Sequence, residues 1–262
     1  MIRSPIVTVM EQAARKAGRT LMRDFGEVEN LQVSLKGPAN FVSAADRRAE
    51  EILHAELSKA RKDFSFLMEE RGEVAGKDAS NVWVVDPLDG TTNFLHGIPL
   101  FAISIAHVKD GEPQAGLVFN PVTDELFVAE RGKGAFLHNR RLRVAARKTL
   151  TDCVVTCGIP HRGRGDLAQF RKELTVVQEQ VAGIRRTGAA ALDLAWVAAG
   201  RFDAFWERNL SPWDMAAGMV LIREAGGYVT DADGGDKILD KGSVVVGNEE
   251  IQRSLLALLK TA

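Results

Sequence analysis

Val84-Val85-Asp86-Pro87-Leu88-Asp89-Gly90-Thr91-Thr92-Asn93 is the stretch on which the reading turns. An apolar, β-branched run ends in two aspartates, with a proline between them and a glycine immediately after. Pro87 and Gly90 force the chain to turn, so both carboxylates can point into one site at the strand end. Gly90 and Thr91 then free backbone N–H groups at a helix start, a place that suits an anion. Two hard carboxylates beside such amides fit Mg²⁺ and a phosphate, because Mg²⁺ prefers oxygen ligands and often shares them with substrate phosphates. The same residues also fit an Asx-type turn with solvated acids.

Working outward, Ser4-Pro5 reads as an N-cap with Pro at the first helical position. Ile6, Val9, Met10, Ala13, Ala17, Leu21 and Met22 follow at helical spacing, and Gly26 is a stop signal. A second helix is predicted from about Ala45-Asp46, burying Ala49, Ile52, Leu53 and Leu57. KGPANFVS between them reads as a loop entering a short extended piece. FSFLM, VWVVD, FAISIAHV, QAGLVF and ELFVAER are strand-like runs separated by turns such as Asp110-Gly111, and predict a largely antiparallel sheet. Beyond about Val144, strands and helices alternate, with helices expected over 166–182, 189–199, 213–226 and 249–260 and a short strand over 183–187. The boundary falls near residue 145, between an α+β half (1–144) and an α/β half (145–262) that share a cleft.

Two more acidic features lie near strand or helix ends. Glu69-Glu70 closes FSFLM, and Asp214 in Trp213-Asp214-Met215-Ala216-Ala217-Gly218 sits in a helix first turn, whose small residues permit close packing. Alone, Glu69-Glu70 fits a charged loop edge and Asp214 a favourable charge at a helix N-terminus.

Composition narrows the function classes. In 262 residues, 34 Lys+Arg against 35 Asp+Glu leave a net charge of −1, which argues against a general nucleic-acid binder. Hydrophobic residues at 45% and charged residues at 26% are globular usage. Two cysteines make no disulfide framework and fit a reducing compartment. No run approaches the about 18–20 apolar residues of a membrane span, and Glu11 and Arg15 break the N-terminal apolar stretch, unlike a signal peptide. The expectation is a soluble cytoplasmic protein.

Taken together, the segments AARKAG (13–18), KGPANFVSAAD (36–46), MEE (68–70), VVDPLDGTTNF (84–94), GKGAF (132–136), RRTGAAALDLAWVAAGRFDAFWE (185–207) and PWDMAAG (212–218) resemble the inositol monophosphatase family over nearly the whole chain. These are magnesium-dependent, lithium-sensitive phosphatases, and the wording is nearest to bacterial members often called extragenic suppressor proteins. The resemblance implies an α/β layered αβαβα sandwich of the inositol monophosphatase and fructose-1,6-bisphosphatase type, and a homodimer. It implies two to three Mg²⁺ ions per subunit. Glu69, Asp86 and the Leu88 carbonyl would hold one, and Asp86, Asp89 and Asp214 the next. Thr91 and Asp46 match the pair that orients and deprotonates the attacking water. The amides of Gly90 and Thr91 match the phosphate cradle, and Asp89 and Asp214 are also counted among the substrate-binding positions. Gly188, Ala189, Ala190 and Glu207 match the positions that contact the polyol.

The implied reaction is hydrolysis of myo-inositol monophosphate to inositol and phosphate by metal-activated water, with Glu69 counted among the catalytic groups. Histidinol phosphate, fructose 1,6-bisphosphate and nucleotide 3′-phosphates are substrates of related members. A regulatory partner of RNA or of the transcription machinery is the alternative class. The chain departs from the family pattern at Asn40 (usually Asp), Ser43 (Thr), Arg71 (Ser) and Asn209 (Gly). Arg71 adds positive charge near Glu69, which would favour a more anionic substrate.

Other features read as structure. Arg140, Arg141, Arg143, Arg147 and Lys148 fit a solvated strand edge. Cys153 and Cys157 share one face of a strand as buried thiols, with no further Cys or His pair to complete a zinc site. The tryptophans 83, 196, 206 and 213 read as core or cleft wall.

Overall fold

The computed structural model describes residues 4–27, 33–37, 40–160 and 165–262, with backbone only for 33–37 and 40–43. Asn40 and Ser43 therefore lie outside the described side chains. The elements run α1 (Pro5–Phe25), β1 (Val33–Gly37), β2 (Asn40–Ser43), α2 (Ala44–Ala60), β3 (Phe64–Met68), β4 (Gly72–Val74), β5 (Asp78–Asp89) and α3 (Thr91–Leu95). They continue with β6 (Ala102–Lys109), β7 (Glu112–Asn120), β8 (Glu125–Glu130), β9 (Gly134–Leu137), β10 (Arg140–Arg141), β11 (Val154–Cys157), α4 (Leu167–Gln178) and β12 (Gly183–Arg185). The last are α5 (Ala190–Ala198), β13 (Ala204–Arg208), α6 (Pro212–Glu224), β14 (Tyr228–Thr230), α7 (Ile238–Lys241), β15 (Ser243–Gly247) and α8 (Glu249–Leu259).

Ser4 caps α1 as expected, its hydroxyl oxygen accepting from Val7 N at 3.3 Å. The strands form an eight-stranded sheet in the order β10-β9-β8-β7-β6-β5-β3-β4 and a five-stranded sheet in the order β12-β11-β13-β15-β14, beside the small β1-β2 ladder. In the large sheet β3 and β5 run parallel, with antiparallel neighbours elsewhere.

Alternation along the strands builds the layers, because successive side chains point to opposite faces. Trp83, Val85, Ile103 and Ile105 turn one face of the large sheet toward α1 and α2, meeting Met10, Leu21, Leu53 and Leu57. Val84, Ala106 and Val118 face the other way, into a core shared with Leu192, Leu194 and Leu221 of α5 and α6 and with Phe205, Val244 and Val246 of the small sheet. Trp206 and Val245 point outward to Phe170, Val177 and Leu255 of α4 and α8. The result is helices, sheet, helices, sheet, helices. It matches the layered sandwich that the resemblance implies.

The small residues of α6 do what their size permits. A Cβ on Gly116 would lie 2.4 Å from the Ala217 carbonyl oxygen, and one on Gly218 would lie 2.4 Å from Leu194 Cδ1. The helix therefore sits directly on β7 and α5. Some expected boundaries shift; α6, for one, ends at Glu224 rather than 226. Helix α4 ends at Gln178 rather than 182, because residues 179–182 must turn to bring Gly183 into β12. β12 stops at Arg185, since Gly188 takes a left-handed φ of +87° and Thr187 carbonyl oxygen accepts from Asn93 Nδ2 at 2.8 Å. Arg140 and Arg141 form the edge strand β10 and are exposed. Arg147 pairs with Asp203 and Lys148 with Glu250, so the basic run is partly neutralised within the chain.

Candidate active site: an acidic cleft between the sheets

Strand β5 does not stop at Asp86. It continues to Asp89 through a bulge: Asp86 pairs with Ser104 and Asp89 with Ala102, so three steps along β5 match two along β6. Pro87, which has no N–H for the ladder, occupies the bulge. Leu88 N donates to Asp86 Oδ1 at 2.8 Å, an Asx-type bond. The acids are nonetheless buried, Asp86 at 2% and Asp89 at 9% exposure. The Asx turn is present, but its acids are not solvated.

Gly90 then takes φ +90°, where a Cβ would also lie 2.9 Å from the Leu100 carbonyl oxygen. Only glycine fits, and the chain enters the short helix α3 at Thr91. Thr91 Oγ1 lies 3.1 Å from Asp46 Oδ1 and 3.1 Å from the Leu88 carbonyl oxygen. Its single proton has two acceptors, and Asp46 on α2 is fully buried behind it.

The two other acids arrive from distant chain segments. Asp214 occupies the third position of α6, where Ser211 N donates to its Oδ2 at 2.7 Å, one half of a capping box. Asp89 Oδ2 accepts from Ala191 N at 2.7 Å, at the N-terminus of α5. One oxygen from each of Asp86, Asp89 and Asp214 lies within 4.8 Å of the others. Glu69, just past β3, lines the same cleft outside that tight trio, its N–H donating to the Val85 carbonyl at 3.2 Å.

Burial, followed by the charges of Glu69, Asp89 and Asp214, raises Asp86 well above the ordinary carboxylate range. Burial and then Asp214 do the same to Asp89, although the Ala191 N–H opposes it. Like charges packed out of water are unfavourable unless a cation or protons join them. The donors are all carboxylate oxygens, which is a hard cation's preference.

The cleft is also lined by Leu88, Gly90, Thr91, Gly188, Ala189, Ala190 and Glu207. Of the expected site residues, Asp46 alone does not line it, standing behind Thr91 instead. Glu207 on β13 lies over Gly158, where a Cβ would sit 1.8 Å from its Cδ. Asn209 has φ +61°, a left-handed conformation that Asn tolerates, which accounts for its standing where glycine is customary. Arg71 Nε lies 3.4 Å from Glu50 Oε1, so its charge is engaged by Glu50.

Several lining residues escaped the sequence reading. Asp193 on α5 is buried, accepts from Thr156 Oγ1 at 2.9 Å, and is pushed by burial up to about 7. A lone acid within the apolar run AAALDLAWVAA was the available signal. Glu173 of α4 accepts from Arg208 Nε at 2.6 Å and from Trp206 Nε1 at 3.2 Å, and no local pattern marks it. Cys153 and Cys157 are free buried thiols, raised by desolvation to about 11 and about 12, so neither is a ready nucleophile.

Comparison with known proteins agrees with this geometry. A protein named inositol-1-monophosphatase from Mesorhizobium japonicum is 63% identical over 260 residues, covering 99% of this chain and 98% of that one. A protein from Pseudomonas aeruginosa named Nus factor SuhB is 44% identical, with 98% and 96% covered. The crystal structure of extragenic suppressor protein suhB from Bartonella henselae superposes with a TM-score of 0.97 at 57% identity, over 99% of this chain and 100% of that one. The model of the inositol monophosphatase family matches residues 2–262. The chain belongs to the inositol monophosphatase family.

Proposed function

We propose that this chain is a Mg²⁺-dependent phosphomonoesterase that hydrolyses myo-inositol monophosphate to inositol and phosphate. The observation that carries the reading is the buried trio Asp86, Asp89 and Asp214, with oxygens within 4.8 Å of one another, beside Thr91 and its partner Asp46. The inositol-1-monophosphatase name of a 63% identical relative supports the substrate class.

In this reading Glu69, Asp86 and the Leu88 carbonyl hold one ion and Asp86, Asp89 and Asp214 the next, with two to three Mg²⁺ per subunit. The chemistry Mg²⁺ supplies when bound is Lewis-acid stabilisation of phosphoryl oxygens and a lowered pKa for water. The residues do the rest. Thr91 donates its proton to Asp46 and turns a lone pair toward the attacking water, so the pair can take up the proton released. The Gly90 and Thr91 amides orient the phosphate. Glu207 accepts hydrogen bonds from vicinal hydroxyls, which an aryl phosphate lacks, while Gly188, Ala189 and Ala190 form the small-residue wall beside them. No side-chain nucleophile is needed.

Inhibition by Li⁺, a homodimer and a cytoplasmic location belong to the same reading. Their support is the resemblance and, for location, the two free thiols; no helix among the described residues is long and apolar enough to cross a membrane. We also read the chain as two halves meeting near residue 145, although α6 of the second packs on β7 of the first. A second reading, a partner of RNA or the transcription machinery, draws on the relative named Nus factor and on exposed Arg140, Arg141 and Arg143. Phosphate release from inositol phosphate, histidinol phosphate, fructose 1,6-bisphosphate and a nucleotide 3′-phosphate, with and without Mg²⁺, tests the first reading. Mg²⁺-dependent turnover highest on inositol phosphate is expected. Its absence, with a salt-sensitive RNA complex instead, would favour the second.

A further inference from the structure

Glu50 stands one turn beyond Asp46 on α2 and is 1% exposed, yet it belongs neither to the acidic trio nor to the Thr91–Asp46 pair. Its Oε2 accepts from Glu70 N at 2.8 Å, and the Arg71 backbone N–H also donates to the carboxylate. Arg71 Nε lies 3.4 Å from its Oε1. The segment it grips is the tight connection between β3 and β4, which begins at Glu69. Burying a carboxylate is unfavourable, and the two backbone N–H groups offset part of that cost. The Arg71 side chain is 41% exposed, so its ion pair contributes little beside those backbone bonds.

We propose that Glu50 is a positioning residue: it locks the turn carrying Glu69 onto helix α2, so that Glu69 and the Asp46–Thr91 pair are held in one frame. The inference rests on the reading of Glu69 as a metal ligand. Glu50 touches neither substrate nor metal and acts through the backbone of residues 70 and 71. A purely structural role would lower stability and leave the metal affinity of the folded protein unchanged. Positioning changes that affinity.

The test is calorimetric titration of Mg²⁺ into the purified full-length wild type and into Glu50→Ala, Glu50→Gln, Arg71→Ser and Asp86→Asn, with kcat and KM measured alongside. Glu50→Ala should weaken Mg²⁺ binding about 10- to 100-fold, the range for groups that orient metal ligands. The Mg²⁺ needed for half-activation should rise by the same factor, with substrate KM at saturating Mg²⁺ little changed. Glu50→Gln should lose about three- to tenfold, because one acceptor oxygen becomes a donor. Arg71→Ser should stay within about twofold of wild type. A folded Glu50→Ala with wild-type Mg²⁺ affinity overturns the positioning role. If Glu50→Ala does not fold, Glu50→Gln decides: a weakened affinity supports the role and an unchanged one overturns it. Wild type that binds no Mg²⁺, or Asp86→Asn that binds as wild type does, overturns the metal reading itself and the proposal with it.

Discussion

Beside β13 two buried acids face guanidiniums: Glu173 accepts from Arg208 Nε at 2.6 Å, and Asp203 accepts from Arg147 Nη1 at 2.9 Å. At the end of β5 the neighbours that raise Asp86, after burial itself, are Glu69, Asp89 and Asp214, all of them acids. Both regions bury carboxylates in the same sandwich, but only one supplies its counter-charge from side chains. A carboxylate out of water needs a cation, donors or a proton. Beside β13 the chain provides arginine. In the cleft, backbone N–H groups of Leu88, Ala191 and Ser211 each bind one oxygen, and the rest of the counter-charge is left to protons or a bound ion. The first arrangement maintains structure. The second crowds acids whose ionisation is unfavourable until a cation joins them, as functional sites often do.

The sharpest way to break this contrast is to neutralise one acid in each region. Asp86→Asn should reduce Mg²⁺-dependent turnover by about a thousandfold or more, since metal stabilisation of the transition state is worth several kcal/mol. The same change should make the metal-free protein more stable, by about 1 kcal/mol, because it removes a repelled charge. Phosphate release and urea unfolding in chelator check the two halves. Glu173→Ala should do the reverse. It strands Arg208 and the Trp206 indole N–H, and should cost about 2–3 kcal/mol of stability. Its metal affinity should be unchanged in calorimetry. If Glu173→Ala stabilised the protein, the two regions would not differ as described.

Glu207 sharpens the boundary between them, since it sits on β13 but faces the cleft. Glu207→Gln keeps the shape imposed by Gly158 and removes the charge. Its kcat/KM on inositol phosphate should fall by about 1.5–3 kcal/mol, or one to two orders of magnitude, while an aryl phosphate loses much less. Equal losses on both would assign Glu207 to the acid cluster or the fold.

A third buried acid, Asp193, is held by hydroxyl donors instead. Its pKa is 3.8 in the ordinary case and about 7 when buried here. Between those values the unfolded state has lost the proton and the native state retains it. Its contribution to stability is therefore fully present below about pH 3.8 and is lost as pH rises to about 7. The slope reaches at most about 1.4 kcal/mol per pH unit. In metal-free protein, Asp193→Asn should gain stability relative to wild type from pH 4 to 7 and gain no more above it. Parallel curves across that range would show that Asp193 is ionised in the native state.

How much of this was legible follows from where the information lies along the chain. Asp86, Asp89 and Gly90 share one local stretch, and the requirement for a turn is written in Pro87 and Gly90; the bulge that satisfies it depends on the register with β6. Strands and helices were legible from their apolar runs, but the stacking into αβαβα layers came from the resemblance, because the central strands are buried on both faces. Asp214 could be placed on a helix first turn, but its approach to Asp86 needed the resemblance. Glu173 and Arg208 lie 35 positions apart, and Glu50 meets residue 70 across 20, so no periodicity announces either contact. Long-range polar pairs between different elements are what the sequence alone conceals.

The central claim is that the cleft acids form a cation site whose charge is held back by protons. It is tested most directly by calorimetric titration of Mg²⁺ into the metal-free protein at pH 6 and pH 8. Because Asp86 and Asp89 are raised well above the carboxylate range, protons compete with the ion at the lower pH. The account predicts a higher Mg²⁺ affinity at pH 8 than at pH 6, with more protons released on binding at the lower pH. Asp86→Asn should weaken binding at both pH values. Equal affinity at both pH values with no proton release, or an Asp86→Asn protein that binds as wild type does, would contradict it.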